Sequence, residues 1–456
     1  MTVRYDVAVV GGGLAGAAAA AAAAESGASV LLLEKTATPG GSTVLSSGLN
    51  AYAGTDEQAA AGVADDVELL RRDLLETGRH RNDPSLVDAY CREQLGTYRW
   101  LRSLGVEFGA PRAASGQSVP RSHPVDTAAA IETLLRLARG RGARIRLGCA
   151  AERPVVTGGR VGGLRVRSRD GEEHVEAGAV VLATGGFSRS PALLARFAPG
   201  MEKAIKAGGA GSTGDGLRMA CSLGAGLADL PYIKATFGVF PWPSSAEEGH
   251  GLLAVYKGAV AVNGLGERFT DESLPYKEIG DACLAQPEGV AFQIFDAPVL
   301  DLADPQVPIY DFAPRLRAGQ IQRADTLAGL ADGLGIPGDR LQASVDAYNT
   351  AIATGGPDPF GRRTLSGDVG TPRPIGTPPY YGYPSTAVML ATYGGVTVDA
   401  DTRVLDVYGD PIPGLFAAGE VTGGFHGAGY VTGTSLGKSA IFGRLAGAGA
   451  SEESAP

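Results

Sequence analysis

Cysteine, histidine and tryptophan are scarce in this chain. Its four cysteines, Cys91, Cys149, Cys221 and Cys283, are scattered and form no CxxC or CxxCH, which excludes a dithiol centre and a c-type haem attachment. The five histidines form no HxH or HExxH, so no metal site is expected. Long apolar runs are missing too. The longest, Ala17–Ala24, stops at Glu25 and is too short to span a bilayer. It lacks the basic flank and cleavage site of a secretory leader, and a strand is expected from Tyr5 onward, so the expected location is cytoplasmic. Positive charge is not in excess. The formal net charge is −9, which argues against nucleic acid and anionic lipid as general partners.

What abounds is glycine, with 68 residues, a sign of tight turns and close backbone approach to a ligand. At 456 residues, 44% hydrophobic and 20% charged, the chain has the composition of a globular protein with room for a large domain and a smaller one. Tyr5–Val10 reads as a buried strand, Gly11–Gly16 as a turn, Ala17–Ser26 as a helix and Val30–Glu34 as the next strand, a β-turn-α-β unit. Arg144–Leu147, Val155–Val166, Val180–Thr184 and Leu415–Ala418 read as further strands, and the helix Leu436–Gly447 closes the domain. Between roughly Leu230 and Arg363, proline and aromatics become frequent, with helices expected at Ala324–Leu334 and Gly338–Ala353. The predicted architecture is α/β: a discontinuous Rossmann-like dinucleotide domain, 1–232 and 364–456, with an inserted α+β cap, 233–363. The last residues, Ser451–Pro456, are expected to fray.

Gly11-Gly12-Gly13-Leu14-Ala15-Gly16 is a GxGxxG with a strand before it and a helix after it. Gly11 permits the turn, Gly13 admits a pyrophosphate, and Gly16 lets helix and strand approach. The helix N-terminus offers its positive dipole end to phosphate. Glu34 ends the second strand, where a carboxylate accepts hydrogen bonds from a ribose diol. The motif alone does not separate FAD from NAD. Pro39-Gly40-Gly41-Ser42-Thr43 with Ser46-Ser47-Gly48, Ala183-Thr184-Gly185-Gly186 and Ala417-Ala418-Gly419-Glu420 favour FAD, since together they would wrap an extended two-lobed cofactor. Taken singly, each reads equally well as an ordinary turn.

The order GGGLAG, EK, PGGST, SSGLN, ATGG, GSTGDG, ERFTDE, YGGV, GLFAAGE, GTSLGKSAIFGR resembles the fumarate reductase/succinate dehydrogenase flavoprotein family over nearly the full chain. The resemblance implies FAD extended across the larger domain, with a cap over the isoalloxazine. It assigns Gly11, Gly13, Gly16, Glu34 and Lys35 to the AMP half, and Ala15, in the glycine-rich turn, to the cofactor site. Gly40, Gly41, Ser42, Thr43, Ser47 and Gly48 go to the flavin half, and Ala151 to the adenine region through its backbone. Thr184, Gly185 and Asp215 go to the ribose and phosphate path, Glu420 to the ribityl chain, and Ser435 and Leu436 to the flavin pyrimidine edge. Membrane succinate dehydrogenases link FAD to a histidine. The matching place here is Ser42-Thr43, so non-covalent FAD is expected.

The family's substrate groups are replaced. Its clamping histidine corresponds to Ala391, an arginine after His-Gly-Ala to Tyr430, and its proton-donating arginine to Tyr276. A dicarboxylate would find no obvious counter-charge, and burying one unpaired is expensive. Ser273-Leu274-Pro275-Tyr276 resembles the segment of 3-ketosteroid dehydrogenases that supplies a tyrosine base. Tyr430-Val431-Thr432-Gly433 resembles their C-terminal oxyanion site. The expected chemistry, shared with cyclohexanone-type dehydrogenases, is α,β-dehydrogenation of a cyclic or steroid-like ketone, or its reverse. Tyr430 and Thr432 would polarise the carbonyl, Tyr276 would take the α-proton with Lys277 or Lys257 as possible aids, and a hydride would pass to flavin N5. Tyr393, Gly394 and Gly433 are expected to wall the substrate pocket. Plainer alternatives stay open. Tyr276 packs against the cap, Tyr430 is a wall for the flavin, Arg268 and Glu272 pair over one helical turn, and His123 serves either the cofactor or its loop. A fumarate- or tricarballylate-type reductase using Arg112, Arg121 or Arg218, and a sensing flavoprotein without turnover, are the rival functions. With no second nucleotide unit apparent, the electron acceptor is expected to be a quinone, a carrier or oxygen.

Overall fold

A computed structural model describes residues 4–242, 251–305, 307–366 and 369–454. Ala455 and Pro456, within the segment expected to fray, lie outside them. The chain divides into two units, one of Met1–Ala198, Ala207–Ile233 and Ala391–Pro456, the other of Pro199–Lys206 and Lys234–Leu390.

In the first unit a sheet runs Arg403–Leu405, Pro411–Ala417, Gly171–Leu182, Arg4–Val10, Val30–Glu34, Arg144–Leu147. Every neighbouring pair is parallel except the Arg403–Leu405 edge. Val7–Val10 and Val30–Leu33 are buried throughout, because helices cover both faces of a parallel sheet. Register sets the functional edge. Val10 lies opposite Leu33 and Leu182, and Leu182 opposite Ala417. The turns that follow these strands therefore leave the sheet side by side, at the carboxyl edge where such sheets bind ligands.

The Ala-rich helix begins at Leu14 rather than Ala17 and ends at Glu25. Its alanines pack on the closing helix, Thr434–Ser454, at backbone distance. A Cβ on Gly443 would lie 2.3 Å from the Ala15 carbonyl oxygen, and one on Gly447 2.1 Å from that of Ala19. Glycines spaced i, i+4 thus meet alanines spaced i, i+4, one helical face against another. The closing helix does not fray at Ser451. It continues to Ser454, and Glu453 accepts the Gly414 N–H at 2.7 Å. Val155–Val166 is not one strand but a hairpin, Ala150–Thr157 and Arg160–Ser168, turned by Gly158-Gly159, both with positive φ.

In the second unit the sheet order is Ile233–Val239, Tyr380–Thr392, Ala291–Asp296, Val260–Asn263. The period of two divides its core. Val260, Val262, Phe292 and Ile294 face the helices Leu327–Leu334 and Gly338–Thr354, while Ala261, Ala291 and Phe295 join Phe237, Leu252 and Ile279. This unit runs on to Leu390, beyond the expected boundary at 363. The long strand Tyr380–Thr392, which ends this stretch, pairs with Ala291–Asp296 and Gln322–Ala324. Among the described residues no helix is long and apolar enough to cross a membrane.

Candidate active site

At the first strand end, Gly11 has φ +111°, and a Cβ there would lie 2.2 Å from the Ala183 carbonyl oxygen. A Cβ on Gly16 would lie 1.8 Å from the Gly11 carbonyl oxygen. Both positions exclude any side chain, as the motif requires. The helix cap, Gly13, has no side chain to satisfy the first-turn N–H groups. Thr43 Oγ1 accepts the Leu14 N–H at 3.2 Å. Among the described residues no acceptor meets those of Ala15 and Gly16, the arrangement that receives a phosphate. A Cβ on Gly13 would meet nothing closer than 3.7 Å, one on Gly41 nothing within 4 Å, and one on Gly185 only Ser212 Oγ at 3.3 Å. The backbone at these turns therefore faces room for a ligand.

Glu34 is buried and oriented. Its Oε2 accepts the Gly12 N–H at 2.7 Å, and its Oε1 accepts the Thr36 N–H and hydroxyl, each at 2.8 Å. Lys35 and Asp215, far apart in sequence, form an ion pair at 2.6 Å, with Thr213 bonded to both. Ser42 Oγ accepts the Gly209 N–H at 2.9 Å and lies 3.3 Å from Ser212 Oγ. Gly40, Thr43 and Gly48 are buried in the same loop, and Ser47 is exposed. Ala151 is buried opposite Val166 in the hairpin. Thr184 is half-buried at the next strand end.

Glu420 is half-buried in the first unit. Its Oε1 accepts the Thr392 N–H at 2.9 Å, and burial pushes its carboxyl above the usual carboxylate range. Sequence reasoning missed its neighbour Lys438, which stood unread in the GKS segment. Lys438 is 2% exposed and donates to the Thr422 carbonyl at 2.7 Å. Burial pulls its ammonium down to about 7, against the attraction of Glu420 and Asp229. Ser435 and the buried Leu436 open the same helix.

Also in the first unit, Tyr430 and Tyr393 stack, with centroids 6.0 Å apart and planes at 16°. His426, another residue the sequence reading passed over, touches both rings. The Tyr430 hydroxyl accepts the Gly433 N–H at 3.2 Å. Gln117 and Ser122 fix the Thr432 carbonyl at 2.7 and 3.1 Å. Gly394 is a close approach, since a Cβ there would lie 2.3 Å from Leu230 Cα. His123 uses both ring nitrogens inside the protein, on Thr55 Oγ1 and the Gly109 carbonyl, each at 3.2 Å, and burial lowers its pKa. Arg121 is fully buried between Asp65, at 2.8 Å, and Asp73. Arg218 donates to the Thr213 carbonyl and Ser190, and Arg112 is exposed.

In the second unit Tyr276 is the first residue of the helix Tyr276–Leu284, half-buried against the cluster of Phe237, Leu252 and Ile279. Lys277 pairs with Asp281, and Lys257 lies 4.3 Å from the centre of the Tyr310 ring. Arg268 and Glu272 do pair, but outside any helix, within a network that includes Asp358 and Arg362.

A family model described as an FAD binding domain matches residues 6–436. The chain belongs to that FAD-binding family. As a member it is an FAD-dependent oxidoreductase, and the uncapped helix and open glycine turns fit the cofactor. A probable fumarate reductase of Shewanella frigidimarina is 33% identical, over 97% of this chain and 74% of that protein. A urocanate reductase of Eggerthella lenta is also 33% identical, over 99% and 75%. Among solved structures, the open conformation of a flavocytochrome c3 fumarate reductase superposes with a TM-score of 0.82 at 32% identity, covering 99% of this chain and 79% of that one. The 3-ketosteroid-Δ4-(5α)-dehydrogenase of Rhodococcus jostii in complex with 4-androstene-3,17-dione superposes with a TM-score of 0.77 at 28% identity, covering 98% and 97%.

Proposed function

We propose that this flavoprotein dehydrogenates the α,β bond of a cyclic or steroid-like ketone, or reduces the corresponding enone. The observation that carries the proposal is Tyr276, a phenol at the start of a helix where the resemblance to fumarate reductases places an arginine. Supporting it, Arg121 is locked between two aspartates and cannot serve as a substrate clamp without leaving both buried charges unpaired. The likeness to the ketosteroid dehydrogenase spans nearly the whole of both chains.

In this mechanism Tyr430 and Thr432 hold the carbonyl oxygen, which makes the α-hydrogen acidic. Tyr276 takes that proton as tyrosinate. Bound FAD supplies the two-electron acceptor for the β-hydrogen, which leaves as hydride. Gly11, Gly13, Ala15, Gly16, Glu34, Lys35 and Ala151 would hold the adenine side, and Thr184, Gly185 and Asp215 the phosphate path. Gly40, Gly41, Ser42, Thr43, Ser47, Gly48, Glu420, Ser435 and Leu436 would hold the flavin side. Tyr393, Gly394 and Gly433 would wall the substrate. The cofactor would be non-covalent, and electrons would pass on to a quinone, a carrier or oxygen.

Anaerobic mixing with 3-ketosteroids and cyclohexanones, followed by flavin absorbance, tests the substrate class. Tyr276→Phe, at unchanged FAD content, should lose about 10²–10⁴ in turnover, the usual worth of a general base. Unchanged turnover removes Tyr276 from the mechanism. The names of the fumarate and urocanate reductases favour a second reading, reduction of an unsaturated acid. Fumarate or urocanate oxidising a reduced dye through this protein, with ketones inert, would establish that one instead.

A further inference from the structure

The helix that Tyr276 opens has an unusual start. Its cap residue is Pro275, which offers no side-chain hydrogen bond to the first turn. Helices normally satisfy these orphan N–H groups with a polar cap. Here a phenol from elsewhere in the second unit anchors the turn that leads into the helix. Tyr256 donates its hydroxyl to the Leu274 carbonyl at 2.7 Å, and the Tyr276 backbone N–H faces the same Tyr256 oxygen. The hydroxyl is therefore tied to the carbonyl two residues upstream of Tyr276. Both tyrosine rings pack against the same apolar cluster.

Tyr256 is itself well anchored. It lies in the short turn Ala254–Lys257. Arg362 donates to the Val255 carbonyl at 2.7 Å and to the Ala259 carbonyl at 2.9 Å. Gln293 Oε1 accepts the Val255 N–H at 3.0 Å. Arg362 also reaches Glu272 at 3.3 Å, so the turn that carries Tyr256 and the loop that leads to Tyr276 share one buried support. Burial holds the Tyr256 phenol well above its ordinary pKa, so it remains a donor at any working pH.

We infer that Tyr256 is the positioning residue for Tyr276, fixing through its hydroxyl the helix start from which the Tyr276 phenol projects. The inference rests on the ketone mechanism, in which Tyr276 is the base. A purely structural tyrosine would lower stability without regard to Tyr276, whereas a positioning residue acts through it. A double-mutant cycle separates the two.

The cycle compares wild type, Tyr256→Phe, Tyr276→Phe and the double variant. Turnover is measured per bound flavin with a ketone that the wild type oxidises. Tyr256→Phe should lower kcat about tenfold, as a small displacement of a catalytic group does, with KM within about twofold. In the Tyr276→Phe background the same change should cost nothing further. Wild-type turnover in Tyr256→Phe, beside an impaired Tyr276→Phe, overturns the positioning role and leaves the ketone mechanism standing. So does an equal loss in both backgrounds. Wild-type turnover in Tyr276→Phe overturns the ketone mechanism and the positioning role with it. If Tyr256→Phe retains no flavin, Tyr256→His takes its place in the cycle under the same criteria.

Discussion

Arg268 and Glu272 close a two-pronged ion pair inside the second unit, with Nε to Oε1 at 2.9 Å and Nη2 to Oε2 at 2.7 Å. Both side chains are almost fully buried, and Glu272 also accepts the Ala261 N–H at 3.0 Å and a contact from Arg362 at 3.3 Å. Burying ions costs desolvation energy, so such a network need not stabilise more than an apolar core would. Removing a single partner is different, because it strands the remaining charges. Glu272→Ala should lower unfolding stability by about 3–5 kcal/mol. Urea unfolding of the flavin-loaded protein measures this, and a loss below about 1 kcal/mol would show that water reaches and rescues the two arginines.

The contact between the Ala-rich helix and the closing helix is set by Gly443 and Gly447, which leave no space for a side chain beside Ala15 and Ala19. Gly447→Val must push the helices apart or bend one of them. Overpacking of this kind typically costs about 1–3 kcal/mol, and the displaced helix begins at the glycine turn. The expected outcome is a lower melting temperature together with weaker FAD retention on dilution. Loss of stability with unchanged retention would place the effect in packing alone.

The parallel sheet was legible because Tyr5–Val10, Val180–Thr184 and Leu415–Ala418 are largely apolar runs that end in glycine turns, and the expected Val30–Glu34 and Arg144–Leu147 coincide with the observed strands. The hairpin was missed although Gly158-Gly159 is a two-residue turn signal, because the valines on either side of it read as one continuous strand. The run to Leu390 was hidden for another reason. Its membership in the second unit comes from pairing with Ala291–Asp296, a non-local relation that composition cannot show. At the site, Glu34 was readable from its place at the end of a strand. Lys438 was not, since a lysine in a helix usually reaches water, and only the folded protein shows this one enclosed near Glu420 and Asp229. Lys35 and Asp215 were both singled out, but nothing in the sequence joined them into a pair.

Lys438 also gives stability a pH dependence with a definite sign. Its ammonium is pulled down to about 7 by burial, while an unfolded lysine titrates near 10.4. Between these values the unfolded chain binds more protons than the folded one, so this group's contribution to stability rises with pH across the window and is lost as pH falls through 7. Lys438→Met removes the titration and keeps most of the volume. Relative to wild type, the variant should gain most in melting temperature near pH 6, and the difference should narrow toward pH 9. A difference that stays flat over that range would mean that Glu420 and Asp229 keep the ammonium charged throughout.

Tyr430 differs from Tyr276 in what fixes it. Its ring lies against Tyr393 and His426, and its oxygen accepts the Gly433 N–H at 3.2 Å. Accepting that bond polarises the phenol and makes its O–H a stronger donor. This suits a group that holds a developing enolate oxygen and disfavours one that must take a proton. Tyr430→Phe preserves the stack on Tyr393 and removes only the hydroxyl. Turnover of the ketone should then fall by about 10²–10³, the cost of one oxyanion donor, with FAD content unchanged. The dependence of rate on pH, attributed to Tyr276, should keep its midpoint. A shifted midpoint with little loss of rate would exchange the two roles and make Tyr430 the proton acceptor.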